Sequence, residues 1–206
     1  MGFGWPDNWE EKPALVKVSG NTAHFADGSS KDVDSIILCT GYIHHFPFLP
    51  DSLRLKTNNI LYPLGLFKGV VWVENPKLIY LGMQDQWYTF NMFDAQAWYA
   101  RDVIMGRVAL PTQPEMQLDI DDWRAQEDSL ADDYEAIAFQ GRYTMELMAK
   151  TDYPAIDLED CNQAFYQWKK HKKQGIMTFR DHGYKSALTG KIAPPHHTPW
   201  VDALDD

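Results

Sequence analysis

Thirteen glycines occur in the sequence, yet none stand as G-x-G-x-x-G or G-x-x-x-x-G-K-[ST]. The nearest approach, Gly2-Phe3-Gly4, runs straight into Trp5-Pro6. The chain therefore carries neither a complete dinucleotide fingerprint nor a P-loop, since both need those glycines to bring backbone N–H groups against phosphate. H-E-x-x-H and G-x-S-x-G are equally absent, which removes zinc-protease and nucleophile-elbow chemistry. The two cysteines, Cys39 and Cys161, are too few for a disulfide framework and are not spaced for zinc. Apolar runs stop well short of the roughly twenty residues that cross a bilayer, and the first residues lack a secretory-leader pattern. Positive charge is scarce, with 19 Lys and Arg against 29 Asp and Glu and a formal net charge of −10. That balance argues against a nucleic-acid partner. The expectation is a cytoplasmic globular protein with no membrane partner.

What is present is apolar and aromatic: 45% hydrophobic residues, with 8 Trp and 10 Tyr. Leu15-Val16-Lys17-Val18 and Thr22-Ala23-His24-Phe25 flank Ser19-Gly20-Asn21, which reads as a β-hairpin. Ala26-Asp27-Gly28-Ser29-Ser30 is a second turn. Val33 to Cys39 then runs almost continuously apolar into Thr40-Gly41-Tyr42, the pattern of a central parallel strand buried on both faces. A loop-rich stretch from Asp51 to Val73, with a turn at Asn58-Asn59, precedes a second buried strand, Lys77 to Gly82. A helix follows over Phe90–Met105, where Phe90, Phe93, Ala97, Ala100 and Ile104 form an apolar stripe. The remainder reads as helical: Glu115 to Leu130, then a helix capped by Asp132, then one capped by Asp160 that ends in Lys169-Lys170-His171-Lys172-Lys173. In the second of these, Tyr134, Ile137, Ala138, Gly141, Met145 and Met148 share a face. The tail from Ala193 to Trp200 is too proline-rich to be helical. The order predicts an α/β protein whose sheet is only partly present.

The segment Gly82 to Asp94 is the best candidate for chemistry. A buried strand feeding a polar turn and then a helix gathers free N–H groups and a positive dipole end at one point. In doubly wound sheets, ligands sit beyond the carboxyl ends of strands. Gln86 and Thr89 offer amide and hydroxyl groups there, whereas the plain alternative is that Asp85 and Thr89 only cap the helix. Trp87, Tyr88, Phe90, Phe93, Trp98 and Tyr99 are either a stacking platform or core. The pairs His44-His45 and His196-His197 have no sensibly spaced third ligand, so no metal is expected. Arg180, in Thr178-Phe179-Arg180-Asp181-His182, suits phosphate or carboxylate, with pairing to an acid as the alternative.

Ile37-Leu38-Cys39-Thr40-Gly41-Tyr42 resembles the strand end of the flavin-containing monooxygenases. The runs from Asp27 to Leu49, Gly82 to Arg107, Trp168 to Lys173, Met177 to His182 and His196 to Trp200 are similar to their bacterial trimethylamine-oxidising branch. The resemblance implies the C-terminal part of a Rossmann-like flavoprotein with two dinucleotide-binding domains and a helical C-terminal region. Residues 1–48 would end the NADPH-binding domain, and 49–206 would belong to the FAD-binding domain with a helical extension. Both glycine fingerprints would lie in an N-terminal half, the required partner. By resemblance Gln86 and Thr89 contact FAD, Asp85 lies beside flavin and nicotinamide, Arg180 reaches NADP, and Trp168 walls the nicotinamide side. No catalytic residue is assigned to this chain. The implied chemistry uses NADPH and O₂ to oxygenate a small tertiary amine such as trimethylamine through a flavin hydroperoxide, in an enzyme that is commonly a homodimer. The competing reading is a non-catalytic interaction module derived from the same fold.

Overall fold

The computed structural model describes residues 3–41, 43–57, 59–186 and 189–192. It opens with three short antiparallel strands, β1 (Leu15–Ser19), β2 (Thr22–Phe25) and β3 (Ser30–Asp32), in the order β1-β2-β3. Gly20 takes a left-handed φ of 59° in the β1–β2 turn, as a two-residue hairpin loop demands. A second two-strand ribbon follows, β4 (Leu66–Phe67) with β5 (Val71–Trp72), also antiparallel. Among the described residues four α-helices follow: α1 (Thr89–Ile104), α2 (Gln113–Asp128), α3 (Asp133–Met148) and α4 (Leu158–Gln174).

The helix core is built around α3. Ile137, Phe139, Tyr143 and Leu147 are buried there with Met92 and Tyr99 of α1, Ile120 and Trp123 of α2, and Cys161 of α4. Trp123 stacks parallel to Tyr62 at 5.5 Å and meets Phe139 edge-on at 5.1 Å. Such pairs add about 0.5–1.5 kcal/mol each beyond area burial. Of the expected face of α3, Ile137, Gly141 and Met148 are buried and Tyr134 is exposed, while Phe139, Gln140, Tyr143, Thr144 and Leu147 are covered as well. The helix is central, flanked on opposite sides.

Helix ends follow local chemistry. Asp132 caps α3, its carboxylate accepting the N–H groups of Tyr134 and Glu135 at 2.9 and 3.0 Å. The α4 cap is Asp157, whose carboxylate accepts the Asp160 N–H at 2.9 Å, so the expected cap at Asp160 is three residues late. Both aspartates satisfy the composition rule, and the chain turns at the first. Ahead of α2, Glu115 accepts the Thr112 N–H at 2.8 Å, which starts that helix earlier than expected.

Three further expectations are corrected. Residues 33–41 form no strand: Ile37 is 86% exposed and Leu38 76%, and the described backbone there has no ladder partner beyond Val33 N–H to Asn21 O. A run apolar on both faces pairs only where neighbouring strands exist. The Lys77–Gly82 segment is held by one antiparallel bridge, Ile79 to Val71, with Tyr80 N–H donating to Val70 O at 2.9 Å. It is therefore a third edge on the β4–β5 ribbon. The apolar stripe expected on α1 splits: Ala100 is buried and Phe93 packs against the core, but Phe90 is 81% exposed, Ile104 73%, and Ala97 is open, while Met92, Ala95, Gln96 and Tyr99 outside the stripe are buried. Both faces of α1 are apolar, and periodicity alone did not choose between them. The Asn58 half of the turn at 58–59, Tyr42, and the tail 193–206 with His196-His197 lie outside the described residues.

Candidate functional site

The corner from Gly82 to Thr89 is shaped by buried amides. Gly82 has a φ of 72°, and a Cβ there would lie 2.8 Å from the Phe93 ring, so only glycine fits. Its N–H donates to Gln96 Oε1 at 2.8 Å. Gln96 Nε2 donates to Gln84 Oε1 at 2.9 Å and to the Tyr143 hydroxyl at 2.8 Å. Gln84 Nε2 donates to the same hydroxyl at 2.9 Å, and that hydroxyl donates to Lys68 O at 2.8 Å. The hydroxyl thus accepts two bonds and donates one, its full capacity. Burial pushes the Tyr143 phenol well above the ordinary tyrosine range, so it remains a donor.

The next residues hang from α3. Gln140 Oε1 accepts the N–H groups of Trp87 and Tyr88 at 2.5 and 3.0 Å, and its Nε2 donates to Asp85 O at 2.6 Å. The Tyr88 hydroxyl donates to Asn162 Oδ1 at 2.6 Å, tying the corner to α4. Gly141 permits this, since a Cβ there would meet Leu158 Cδ1 at 2.6 Å and the Tyr88 hydroxyl at 2.8 Å. Burial also holds the Tyr88 phenol far above its usual range.

Asp85 and Thr89 do not cap α1. The cap position is Tyr88, without a side-chain cap bond, and Asp85 Oδ1 instead accepts the neighbouring Gln86 N–H at 2.9 Å. The N–H groups of Thr89 and Phe90 have no acceptor among the described residues, so the helix end presents free donors. Thr89 sits at a φ of 32°, a left-handed conformation that a β-branched residue adopts only under constraint.

Gln86 and Thr89 open into one cleft of about 520 Å³, walled by Trp87, Phe165, Trp168 and Tyr184. Trp87 and Trp168 meet edge-on at 6.5 Å. On their other side, a smaller cleft of about 240 Å³ is lined by Lys169, Lys172 and Lys173. Lys169 pairs with Asp133 and lies over Trp87, while Lys172 lies 5.0 Å over Trp168. Burial pulls the Lys169 ammonium below the ordinary lysine value. Asp85 is exposed and does not line the larger cleft. Arg180 is exposed on the short 3-10 turn Phe179–Asp181, its guanidinium 4.4 Å over the Phe179 ring, with no ion pair among the described residues. Phe179 is buried edge-on against the cleft residue Trp168 at 5.6 Å, and Arg180 itself does not line the cleft.

The aromatic run divides. Tyr88 and Tyr99 are core, Trp87 is cleft wall, and Phe90 is exposed. Trp98 packs edge-on against Tyr153 at 5.2 Å, with Arg101 over its ring. Sequence reasoning missed Phe165, Tyr184 and the supporting amides Gln84, Gln96, Gln140 and Asn162. A buried glutamine carries no periodic signal that distinguishes it from a surface one. No cluster of three metal-ligating side chains occurs among the described residues.

Helices packed beside short strands, with Gln86 and Thr89 opening into an aromatic cleft, make this an α/β protein whose cleft has the form that small-molecule sites take. The chain belongs to the flavin-binding monooxygenase-like family, whose model matches residues 9–160. It is 63% identical over its full length to a trimethylamine monooxygenase of Roseovarius sp. strain 217, and 57% identical to that of Methylocella silvestris. It spans 46% of the length of each. The crystal structure of Tmm from Pelagibacter sp. strain HTCC7211 superimposes with a TM-score of 0.90 at 51% identity, over 99% of this chain and 46% of that one. S-allyl-L-cysteine S-oxygenase from Allium sativum shares the fold, with a TM-score of 0.68 at 23% identity over 87% of this chain and 43% of that one. No helix among the described residues is long and apolar enough to cross a membrane.

Proposed function

We propose that this chain is the C-terminal portion of a cytoplasmic, FAD- and NADPH-dependent monooxygenase that oxygenates small tertiary amines, trimethylamine foremost, once joined to its N-terminal half. The observation that supports the reading is that Gln86 and Thr89, the latter at the uncapped start of α1, line one aromatic-walled cleft. Those groups fit a flavin, which asks for hydrogen-bond donors at its polar edges and flat apolar walls along its ring. When bound, FAD with NADPH and O₂ supplies the oxygen-transfer chemistry.

Residue type, resemblance and, for Gln86 and Thr89, a place in the cleft support the following roles. Gln86 and Thr89 would hold and orient the flavin. Trp87, Phe165 and Trp168 would exclude water from around it. Asp85, exposed on the same corner, would serve the nicotinamide side, and Arg180 would hold NADP through its phosphate. In this reading residues 1–48 close the NADPH-binding domain, and 49–206 complete a Rossmann-like FAD-binding domain. The relatives named trimethylamine monooxygenase and the length they add support the assignment.

The test joins this chain to the remaining portion of the Roseovarius relative and measures flavin absorbance and amine-dependent NADPH oxidation. A flavin spectrum with trimethylamine-stimulated turnover is the expected result. A soluble, folded fusion with neither would overturn the reading and favour an interaction module.

A further inference from the structure

Trp87 and Trp168 line both clefts, whereas Lys169, Lys172 and Lys173 line the smaller one alone. Each indole that walls the larger cleft therefore carries an ammonium on its other side. Lys169 Nζ lies 5.7 Å from the centre of the Trp87 ring, and Lys172 Nζ lies 5.0 Å from that of Trp168. Lys169 is paired with Asp133, the one carboxylate among the described residues that lines either cleft. Lys172 has no ion pair among the described residues. Asp85 and Asp181 are exposed and line neither cleft. Tyr184, on the wall of the larger cleft, bonds His171 and stays a neutral phenol, since burial raises it further above the ordinary tyrosine value.

An aromatic cleft without such backing attracts cations, because the ring face is the negative end of its quadrupole. A cation already held on one side of the ring opposes a second on the other. The distinction matters for an amine. Its free base has the lone pair that accepts an oxygen atom, whereas its ammonium has none and would only occupy the cleft. An aliphatic amine titrates near pH 10, as lysine does, so at neutrality the ammonium outnumbers the free base by about a thousandfold. We infer that Lys172, with Lys169 beside it, sets the charge selectivity of the larger cleft: acting through Trp168 and Trp87, the two ammoniums repel the protonated amine and leave the aromatic walls to the neutral one. This rests on the functional reading above, since it takes a small amine as the guest of the cleft. Cations that served only the C-terminal end of the α4 dipole would have no need to stack on these two rings.

The experiment titrates the full-length fusion calorimetrically, at one ionic strength, with two probes of the same shape. Choline is a permanent cation, and dimethylbutanol is its uncharged isostere, with a quaternary carbon in place of the nitrogen. Lys172→Met keeps an apolar stem over the Trp168 ring and removes the charge, and Lys172→Arg keeps the charge. The expected result is that the parent binds choline more than about tenfold more weakly than dimethylbutanol. Lys172→Met should narrow that gap by about fivefold, with dimethylbutanol affinity within about twofold of the parent, and Lys172→Arg should restore it. The neutral probe thus doubles as the check that the variant is folded. A gap that Lys172→Met leaves unchanged would overturn the inference. So would an equal loss of both probes, which would reduce Lys172 to packing, or a parent that binds choline as well as dimethylbutanol. A parent that does not bind dimethylbutanol would overturn it too. The readout does not depend on turnover: an active flavoprotein whose selectivity ignores Lys172 sinks this inference and leaves the functional reading standing. The expected selectivity in a fusion with neither flavin nor turnover does the reverse.

Discussion

Gln140 accepts the backbone N–H of Tyr88 at 3.0 Å, and so holds the start of a helix 52 residues away from it in sequence. The same side chain takes the Trp87 N–H and donates to Asp85 O, leaving none of its polar atoms idle. The corner that presents Gln86 and Thr89 is thus fixed by α3 and not by its own residues.

Replacing Gln140 with leucine leaves two buried donors and one acceptor unmatched. The expected destabilisation is about 2–4 kcal/mol, since each orphaned group costs about 1–3 kcal/mol with some relaxation. Denaturant unfolding of the full-length protein measures it. A loss below about 0.5 kcal/mol would show that the corner holds itself.

Thr89 is strained where it stands, with a φ of 32°. Thr89→Gly should stabilise the flavin-free protein by up to about 1 kcal/mol, because glycine adopts this conformation without a Cβ penalty. It should also weaken flavin binding by about tenfold through loss of the hydroxyl. Opposite signs in thermal unfolding and flavin titration are the signature. Parallel losses would mean the hydroxyl serves the fold alone.

The imidazoles of His171 and His182 stack at 3.8 Å, and His171 Nδ1 bonds the Tyr184 hydroxyl at 2.9 Å, at the cleft wall. Burial, then His182, then Lys170 hold His171 below its ordinary value of 6.5. Below pH 6.5 the unfolded chain therefore binds more protons at this site than the native one, so stability falls as pH drops. NMR titration should find His171 harder to protonate than a free imidazole, and His182→Ala should move it back toward 6.5. An unmoved titration would show that the stack carries no electrostatic weight.

Arg180→Ala should weaken NADP retention and raise uncoupled peroxide release while FAD content stays near that of the parent. Its guanidinium is exposed beside the cleft wall and serves no ion pair among the described residues, so the fold loses little. Equal loss of both cofactors would remove Arg180 from the NADP site.

Much of this was legible in order of residues alone. The hairpin around Gly20, the Asp132 cap and the extent of α1 are decided within a few residues, by turn chemistry, capping and spacing, and the structure keeps all three. Gln86 and Thr89 were marked by residue type and by resemblance, and they share a cleft. Which face of α1 turns inward was not decided locally, because Phe90-Phe93-Ala97 and Met92-Ala95-Tyr99 are equally apolar stripes. Contact with α3 chose the second. The strand at 33–39 failed for the matching reason: a ladder needs neighbours, and none lie within reach. Phe165 and Tyr184 joined the cleft only because α4 and the chain after it fold back over Trp87. Local signals report what a residue prefers, whereas burial and hydrogen-bond partners are properties of pairs far apart in the chain, and only packing brings those pairs together.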